Sequence, residues 1–313
     1  MNKKSKIIFM GTPDFAVPSL KALLKQEYNV THVVTQPDRP KGRGRKVIPP
    51  PVKQVALNAG LNVSQPLSVK NEQFIEKLKT IGADIFVVVA FGHILPRTLL
   101  EVPKIGSINV HASLLPKYRG PAPIQWAILN RDKETGVTAI LLDEGLDTGK
   151  ILKSARIEIA SDDTAASLHD RLSALGGDLL ISTLREFETG VLDPLPQDLS
   201  QATYAPKLKK SDGHIQWEKP VEALEAFVRG MTPWPGAFTY HEKKRLKIFK
   251  ARPIYSKVTA PPGTVLKGFP DELRVATGKG ILSILEIQGE SGKRLPVEMF
   301  RRGYKIPPGT VLK

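Results

Sequence analysis

Asn109 and His111 stand two residues apart in Ile108-Asn109-Val110-His111, with apolar residues at the alternate positions. On a strand this alternation turns both polar side chains to one face. An amide donor beside an imidazole suits a reaction in which a carbonyl oxygen gains negative charge and protons move. Downstream, Gly145-Leu146-Asp147-Thr148-Gly149 offers a carboxylate that can reach the imidazole. No other stretch holds so compact a chemical set. A lone histidine is more often a structural hydrogen-bonding group, but Asn109 before it and the stiff run Ser113 to Pro116 after it favour chemistry. The other histidines lack such neighbours, and no pair has the spacing of metal ligands. With no cysteine either, no metal site is expected.

These residues need a frame, and the apolar pattern supplies one. Ile7 to Met10, Val30 to Val34, Asp84 to Ala90, Ser107 to His111 and Val137 to Leu142 read as strands. The uninterrupted β-branched run in the third of these marks a strand buried on both faces. Helical patterns fall between them: Leu20, Leu23 and Leu24 define one, and another starts near Pro121. Asp162 and Asp163 offer N-caps for a long amphipathic helix running towards Glu188. Strands alternating with helices predict a doubly wound, mainly parallel α/β sheet over residues 1–190. In such sheets ligands bind at the carboxyl ends of the strands, where His111 is expected to sit.

The texture changes after Gly190. Residues 191–207 are proline-rich and aperiodic, as in a linker. Beyond them, Val221 to Val228 reads as a short helix, and Ala237 to His241 with Leu246 to Ala251 as a hairpin. Further short strands follow, so residues 208–313 are expected to form a small β-barrel. Pro261-Pro262-Gly263-Thr264-Val265-Leu266-Lys267 recurs unchanged as Pro307 to Lys313. Two copies cannot build a solenoid, so each is read as a turn followed by a short strand.

Charge points to a partner. The formal net charge of the 313-residue chain is +15, from 46 basic and 31 acidic residues. Residues 208–313 hold 20 of the bases but only 10 of the acids, so the excess concentrates in the last third. Such a balance favours a polyanionic partner such as nucleic acid, or an anionic membrane, with solubility through surface lysine as the plain alternative. A second basic cluster, Arg39, Lys41, Arg43, Arg45 and Lys46, is interleaved with Gly42 and Gly44. No apolar run approaches a membrane span, and a cytoplasmic protein is expected. Gly11-Thr12-Pro13 lacks the glycine spacing of a dinucleotide fingerprint, which argues against a nicotinamide enzyme.

Asn109, His111, Ser113 to Pro116, Tyr118-Arg119-Gly120 and Gly145 to Gly149, in that order, resemble the folate-dependent formyltransferases. These enzymes move a formyl group from 10-formyltetrahydrofolate to an amine. Gly11-Thr12-Pro13-Asp14-Phe15, Gln36-Pro37-Asp38-Arg39-Pro40 and Ala122-Pro123-Ile124-Gln125 narrow the resemblance to members acting on aminoacylated tRNA. It continues through Tyr204 to Leu208 and Pro233-Trp234-Pro235, and is weakest past Pro253.

The resemblance implies a Rossmann-like catalytic domain followed by an OB-like, tRNA-binding barrel. It implies that Asn109 donates to the formyl oxygen, and that His111, held charged by Asp147, stabilises the same oxygen and passes a proton. Asp147 would take the amine's proton through water. Phe91, Gly92, His93, Ile94, Leu142 and Asp143 would hold the pterin, and Ser113, Leu114, Leu115 and Pro116 would line the folate pocket. The basic loop would grip the acceptor arm of initiator tRNA, with Arg43 at the family's key arginine position. Lys207, Lys209 and Lys210 would continue the phosphate track of a monomeric enzyme. Other readings remain: a formyltransferase acting on a small amine or sugar nucleotide, a deformylase, or an RNA-binding module. The last leaves Asn109, His111 and Asp147 unexplained.

Overall fold

A computed structural model describes residues 4–41, 46–268, 271–290 and 292–313. It divides into two compact units. Met1–Pro123, Glu134–Ile157 and His169–Ala205 form the first, and Ile124–Lys133, Glu158–Leu168 and Pro206–Lys313 the second.

The first unit is built along β1 (Lys6–Gly11), α1 (Val17–Lys25), β2 (Asn29–Val34), β3 (Arg39–Lys41), β4 (Lys46–Ile48), α2 (Pro51–Asn58) and β5 (Val63–Ser64). It continues with α3 (Glu72–Ile81), β6 (Ile85–Val89), α4 (Arg97–Leu100) and β7 (Gly106–His111). The chain then forms α5 (Pro123–Leu129), which from Ile124 on belongs to the second unit. It returns to the first with β8 (Glu134–Leu141), β9 (Ile151–Glu158) and the long α6 (Ala165–Glu188), whose residues from His169 on lie in it. Seven strands share one sheet in the order β5-β2-β1-β6-β7-β8-β9. The first five run parallel, and β8 pairs antiparallel with β7. The expected α/β architecture is present. Every residue of β6 is buried, which explains its continuous Ile-Phe-Val-Val-Val sequence. Strand order reverses between β1 and β6, opening the crevice at their carboxyl ends where doubly wound folds bind ligands.

Helix ends follow local chemistry. In α3, Asn71 accepts a hydrogen bond from the Phe74 N–H at 2.9 Å, and Phe74, Ile75 and Leu78 face the core. Two expected boundaries differ. The long helix is capped by Thr164, not by Asp162 or Asp163: Thr164 and Ser167 exchange side-chain-to-backbone hydrogen bonds of 3.2 and 2.9 Å. Asp163 instead accepts from the Ala160 N–H and the Ser167 hydroxyl, both at 2.8 Å, which shapes the approach to the helix. The helix expected near Pro121 begins at Pro123, because the Ala122 N–H is held by the Ala205 carbonyl.

The second unit carries α7 (Val221–Met231), β10 (Ala237–His241), β11 (Lys244–Ile254), β12 (Leu273–Ala276), β13 (Ile281–Gln288), β14 (Leu295–Pro296) and α8 (Val297–Gly303). Its sheet is antiparallel, ordered β10-β11-β13-β12, with β14 beside β13. The two identical heptapeptides curl it into a barrel. Thr264 pairs with Val311, while Val265 pairs with Val275 of β12. Lys313 exchanges backbone hydrogen bonds with Tyr240 of β10 at 2.6 and 3.0 Å. Each repeat thus lends an edge the other needs. Among the described residues no helix is long and apolar enough to cross a membrane.

The two copies are not equally demanding. Gly263 and Gly309 both adopt φ of +85°, but a Cβ on Gly263 would lie 2.5 Å from the Leu312 carbonyl oxygen. At Gly309 it would meet nothing within 4 Å. Gly309→Ala should therefore cost about 1–2 kcal/mol of backbone strain, and Gly263→Ala about 1–3 kcal/mol more. Urea unfolding of the two variants measures the difference. Equal losses would contradict the barrel-closing role assigned to the first repeat.

Candidate active site

Strand β7 carries Asn109 and His111 as the alternation requires. Asn109 lies opposite Val88 of β6 and Ile140 of β8, and His111, the last residue of the strand, lies opposite Thr138. Both side chains are buried. Among the described residues the Asn109 amide has no hydrogen-bond partner, so its donors are free for a ligand. The His111 Nε2–H donates to the Tyr118 carbonyl at 2.9 Å, since a carbonyl can only accept. Its Nδ1 faces the Asp147 carboxylate at 3.6 Å, an electrostatic contact too long for a hydrogen bond.

Asp147 is held from the other side by the Gly120 N–H, which donates to Oδ2 at 2.8 Å. Both Tyr118 and Asp147 have left-handed backbones, with φ of +60° and +53°. Non-glycine residues adopt that region at a cost, and such strain clusters at functional sites. Gln197, from segment 191–207, bridges the two turns. Its side-chain N–H groups donate to the carbonyls of Asp147 and Gly149, each at 2.8 Å. Its oxygen accepts from the guanidinium of buried Arg119 at 2.7 and 3.2 Å.

The remaining candidates are placed as follows. Ser113 commits its hydroxyl to the Lys117 carbonyl at 2.6 Å, which locks the turn through Leu114, Leu115 and Pro116. Thr138 braces that turn, donating to the Ser113 carbonyl at 2.7 Å and accepting from the Leu115 N–H at 3.1 Å. Phe91 is buried in the apolar cluster that also receives Leu142. The Phe91 carbonyl accepts from Thr12 and Gln36 at 3.1 and 3.3 Å. Gly92 has φ of +85°, His93 stands edge-on to Phe91 at 5.4 Å, and Ile94 is exposed. Asp143 accepts from the Gly145 N–H at 3.0 Å and the Thr148 hydroxyl at 2.6 Å, so it shapes the turn that presents Asp147.

Arg39 and Lys41 lie on β3, paired with β4, which starts at Lys46. Arg43 and Arg45 fall outside the described residues. The root of this hairpin is tied down: the Asp38 carboxylate accepts from Lys53 at 2.8 Å and Gln65 at 2.7 Å. Those two bonds, Lys53 first, hold the Asp38 carboxyl below its ordinary range. Lys207, Lys209 and Lys210 are exposed and belong to the second unit. Sequence reasoning missed Gln197 and assigned no role to Arg119, Tyr118 or Gly120. Tyr118 and Gly120 act through backbone groups, which every residue possesses, so residue type carried no signal.

Both units have counterparts among known proteins. A sequence profile described as formyl transferase matches residues 3–184, and one described as formyl transferase, C-terminal domain, matches residues 207–305. The chain belongs to the formyl transferase family. It is 50% identical over 309 residues to the methionyl-tRNA formyltransferase of Caldanaerobacter subterraneus subsp. tengcongensis, covering 98% of this chain and all of the relative. A protein of the same description from Desulfotalea psychrophila is 50% identical over 311 residues, 99% of this chain and 96% of the relative. Among solved structures, the sugar formyltransferase WlaRD superposes with a TM-score of 0.69 at 21% identity, over 94% of this chain and all of WlaRD. HypX from Aquifex aeolicus with tetrahydrofolic acid superposes at 0.65 and 17% identity over 98% of this chain. The chain spans about half of HypX, 49%. At these identities the likeness of the solved structures concerns the fold alone.

Within this formyl transferase the Thr138 hydroxyl is a brace that can be removed without changing side-chain volume. Thr138→Val should leave the Leu115 N–H and the Ser113 carbonyl unpaired and cost about 1–3 kcal/mol. Chemical denaturation reads the loss. An unchanged midpoint would mean that the turn after β7 does not depend on this bond.

Proposed function

We infer that the chain transfers the formyl group of 10-formyltetrahydrofolate to the free amino group of methionyl-tRNA. The observation that carries this reading is identity near 50% to methionyl-tRNA formyltransferases along almost their whole length. The site's chemistry supports it independently. The Asn109 amide, buried near the end of a rigid strand and without a hydrogen-bond partner among the described residues, suits an oxygen that gains charge as the carbonyl is attacked.

The reduced folate supplies the activated formyl carbon, and the rest is work for this chain's side chains. Asn109 donates to the formyl oxygen. As the amine nitrogen bonds to the formyl carbon, the carbon's bond to the folate nitrogen breaks. His111 has Nε2 committed to Tyr118, so Nδ1 is the nitrogen left to help pass the amine's proton to the departing folate nitrogen. Asp147, 3.6 Å from Nδ1, offsets the charge His111 takes up and accepts the amine's proton through water. Phe91 to Ile94 with Leu142 and Asp143 form the pterin-facing loops, and Ser113 to Pro116 line the folate pocket. The basic segment that holds Arg39, Lys41, Arg43, Arg45 and Lys46 grips the acceptor arm of the initiator tRNA. Lys207, Lys209 and Lys210 add phosphate contacts from the second unit. The concentration of positive charge after residue 207 favours a nucleic-acid substrate over a small amine or sugar nucleotide.

Asn109→Ala should slow formyl transfer by on the order of 100-fold, as for loss of one oxyanion donor, while leaving folate binding intact. Steady-state kinetics with charged initiator tRNA, beside folate titration, test this. Near-normal turnover would remove Asn109 from the chemistry.

Arg43→Ala should raise KM for charged tRNA without altering folate affinity. Wild-type tRNA binding should weaken steeply with salt, and removing an arginine that pairs with one phosphate should flatten the log–log slope by about one unit. An arginine that stacks on an unpaired base would instead relax discrimination between initiator and elongator tRNA at nearly constant slope. Kinetics at several salt concentrations, with both tRNAs, separate the two. Unchanged kinetics would reduce the loop to a solvated surface segment.

A further inference from the structure

We propose that Gln197 and Arg119 are positioning residues for formyl transfer, holding the Asp147 turn so that its carboxylate faces His111. The inference rests on the roles given above to His111 and Asp147. Those two groups come from the end of β7 and from a turn 36 positions further along the sequence, and neither is bonded directly to the other. Each is fastened instead to the Tyr118–Gly120 turn: His111 through the Tyr118 carbonyl, Asp147 through the Gly120 N–H. Their 3.6 Å separation therefore depends on how firmly the Asp147 turn is docked onto Tyr118–Gly120.

Asp143 shapes this turn from within, but one backbone N–H on one carboxylate oxygen does not dock it onto Tyr118–Gly120, least of all with Asp147 at φ of +53°. Gln197 supplies the missing constraint. Its two N–H groups bind the carbonyls on either side of Thr148, and its oxygen binds Arg119, the residue between Tyr118 and Gly120. Arg119 is itself anchored through its backbone, donating to the Thr203 carbonyl and accepting from the Ala205 N–H, both at 2.8 Å. The side chains are 9% and 3% exposed, so water does not replace these bonds cheaply.

The head group must be an amide. Two donors must meet two carbonyls while an acceptor meets a guanidinium, and among side chains of this length only glutamine presents both. Glutamate would pair with Arg119 but turn a carboxylate oxygen onto the Asp147 and Gly149 carbonyls and push the turn away. Among the described residues no carboxylate lies within ion-pairing distance of Arg119, so Gln197 is its side-chain anchor. The pair acts through Asp147, not on the substrates. Small displacements of a catalytic group can cost about 100-fold in rate, so the effect should fall on turnover.

The test uses the full-length enzyme with 10-formyltetrahydrofolate and charged initiator tRNA, and the variants Gln197→Leu, Gln197→Glu, Asp147→Asn and Gln197→Leu/Asp147→Asn. Gln197→Leu and Gln197→Glu should lower kcat by about 10- to 100-fold, with both KM values within about twofold of wild type. The double variant should be no slower than Asp147→Asn alone, because once the carboxylate is gone there is nothing left to position. A general weakening of the fold would instead multiply the two losses. If Gln197→Leu does not fold, Gln197→Glu, which keeps the bond to Arg119, carries the kcat and KM comparison. Wild-type kcat in a folded Gln197 variant, or a multiplied loss in the double variant, overturns the proposal. Full activity of Asp147→Asn would overturn the reading of Asp147 itself, a distinguishable result.

Discussion

The whole site turns on one constraint: an imidazole and a carboxylate must face each other at 3.6 Å without a direct bond to hold them there. Isolated pairs of that kind drift, because neither partner fixes the other's geometry. Here the Tyr118–Gly120 turn acts as a common support. One of its carbonyls orients the His111 ring, and one of its amides receives the Asp147 carboxylate. Both side chains are largely withdrawn from solvent, 8% and 14% exposed, so their mutual field is weakly screened. Preorganisation of this kind is how a protein stabilises developing charge without reorganising as the reaction proceeds.

The sheet makes that support rigid. Asn109 and His111 belong to a strand flanked on both sides, parallel to β6 and antiparallel to β8, so their backbones cannot shift independently. Thr138, on β8, then reaches across to brace the turn that follows His111. The same strand that neighbours β7 thus also stiffens its exit. Segment 191–207 completes the arrangement. Ile151 and Leu195 exchange backbone hydrogen bonds of 2.8 and 2.9 Å, which brings Gln197 to the Asp147 turn. Low periodicity made this stretch read as a linker, yet its backbone groups are paired with other segments. An aperiodic sequence need not be a loose one when its partners lie elsewhere in the chain.

In the second unit the identical heptapeptides show how little local sequence says about tertiary role. Both copies make a left-handed glycine turn followed by extended backbone, as their Pro-Pro-Gly start dictates. One nevertheless packs beside β12 and the other beside Tyr240 of β10, and their pairing with each other closes the ring. A β-sheet with free edges is exposed to unwanted pairing, and closure removes that hazard.

Much was legible from residue order alone. Apolar runs marked the strands, because a central parallel strand must be apolar on both faces and few other elements are. The polar pair on β7 was visible because a period of two puts Asn109 and His111 on one side whatever surrounds them. Asp147 stood out as an acid within a glycine-flanked turn. What tertiary structure decided was everything carried by backbone groups or by distance. The Tyr118 carbonyl and Gly120 amide have no signature in residue type, and the start of α5 depended on Ala205, 82 positions beyond Pro123, occupying the Ala122 N–H. Gln197 looked like any surface glutamine. Its role exists only because folding brings three carbonyl and guanidinium partners within reach of one amide, and no local pattern encodes that meeting.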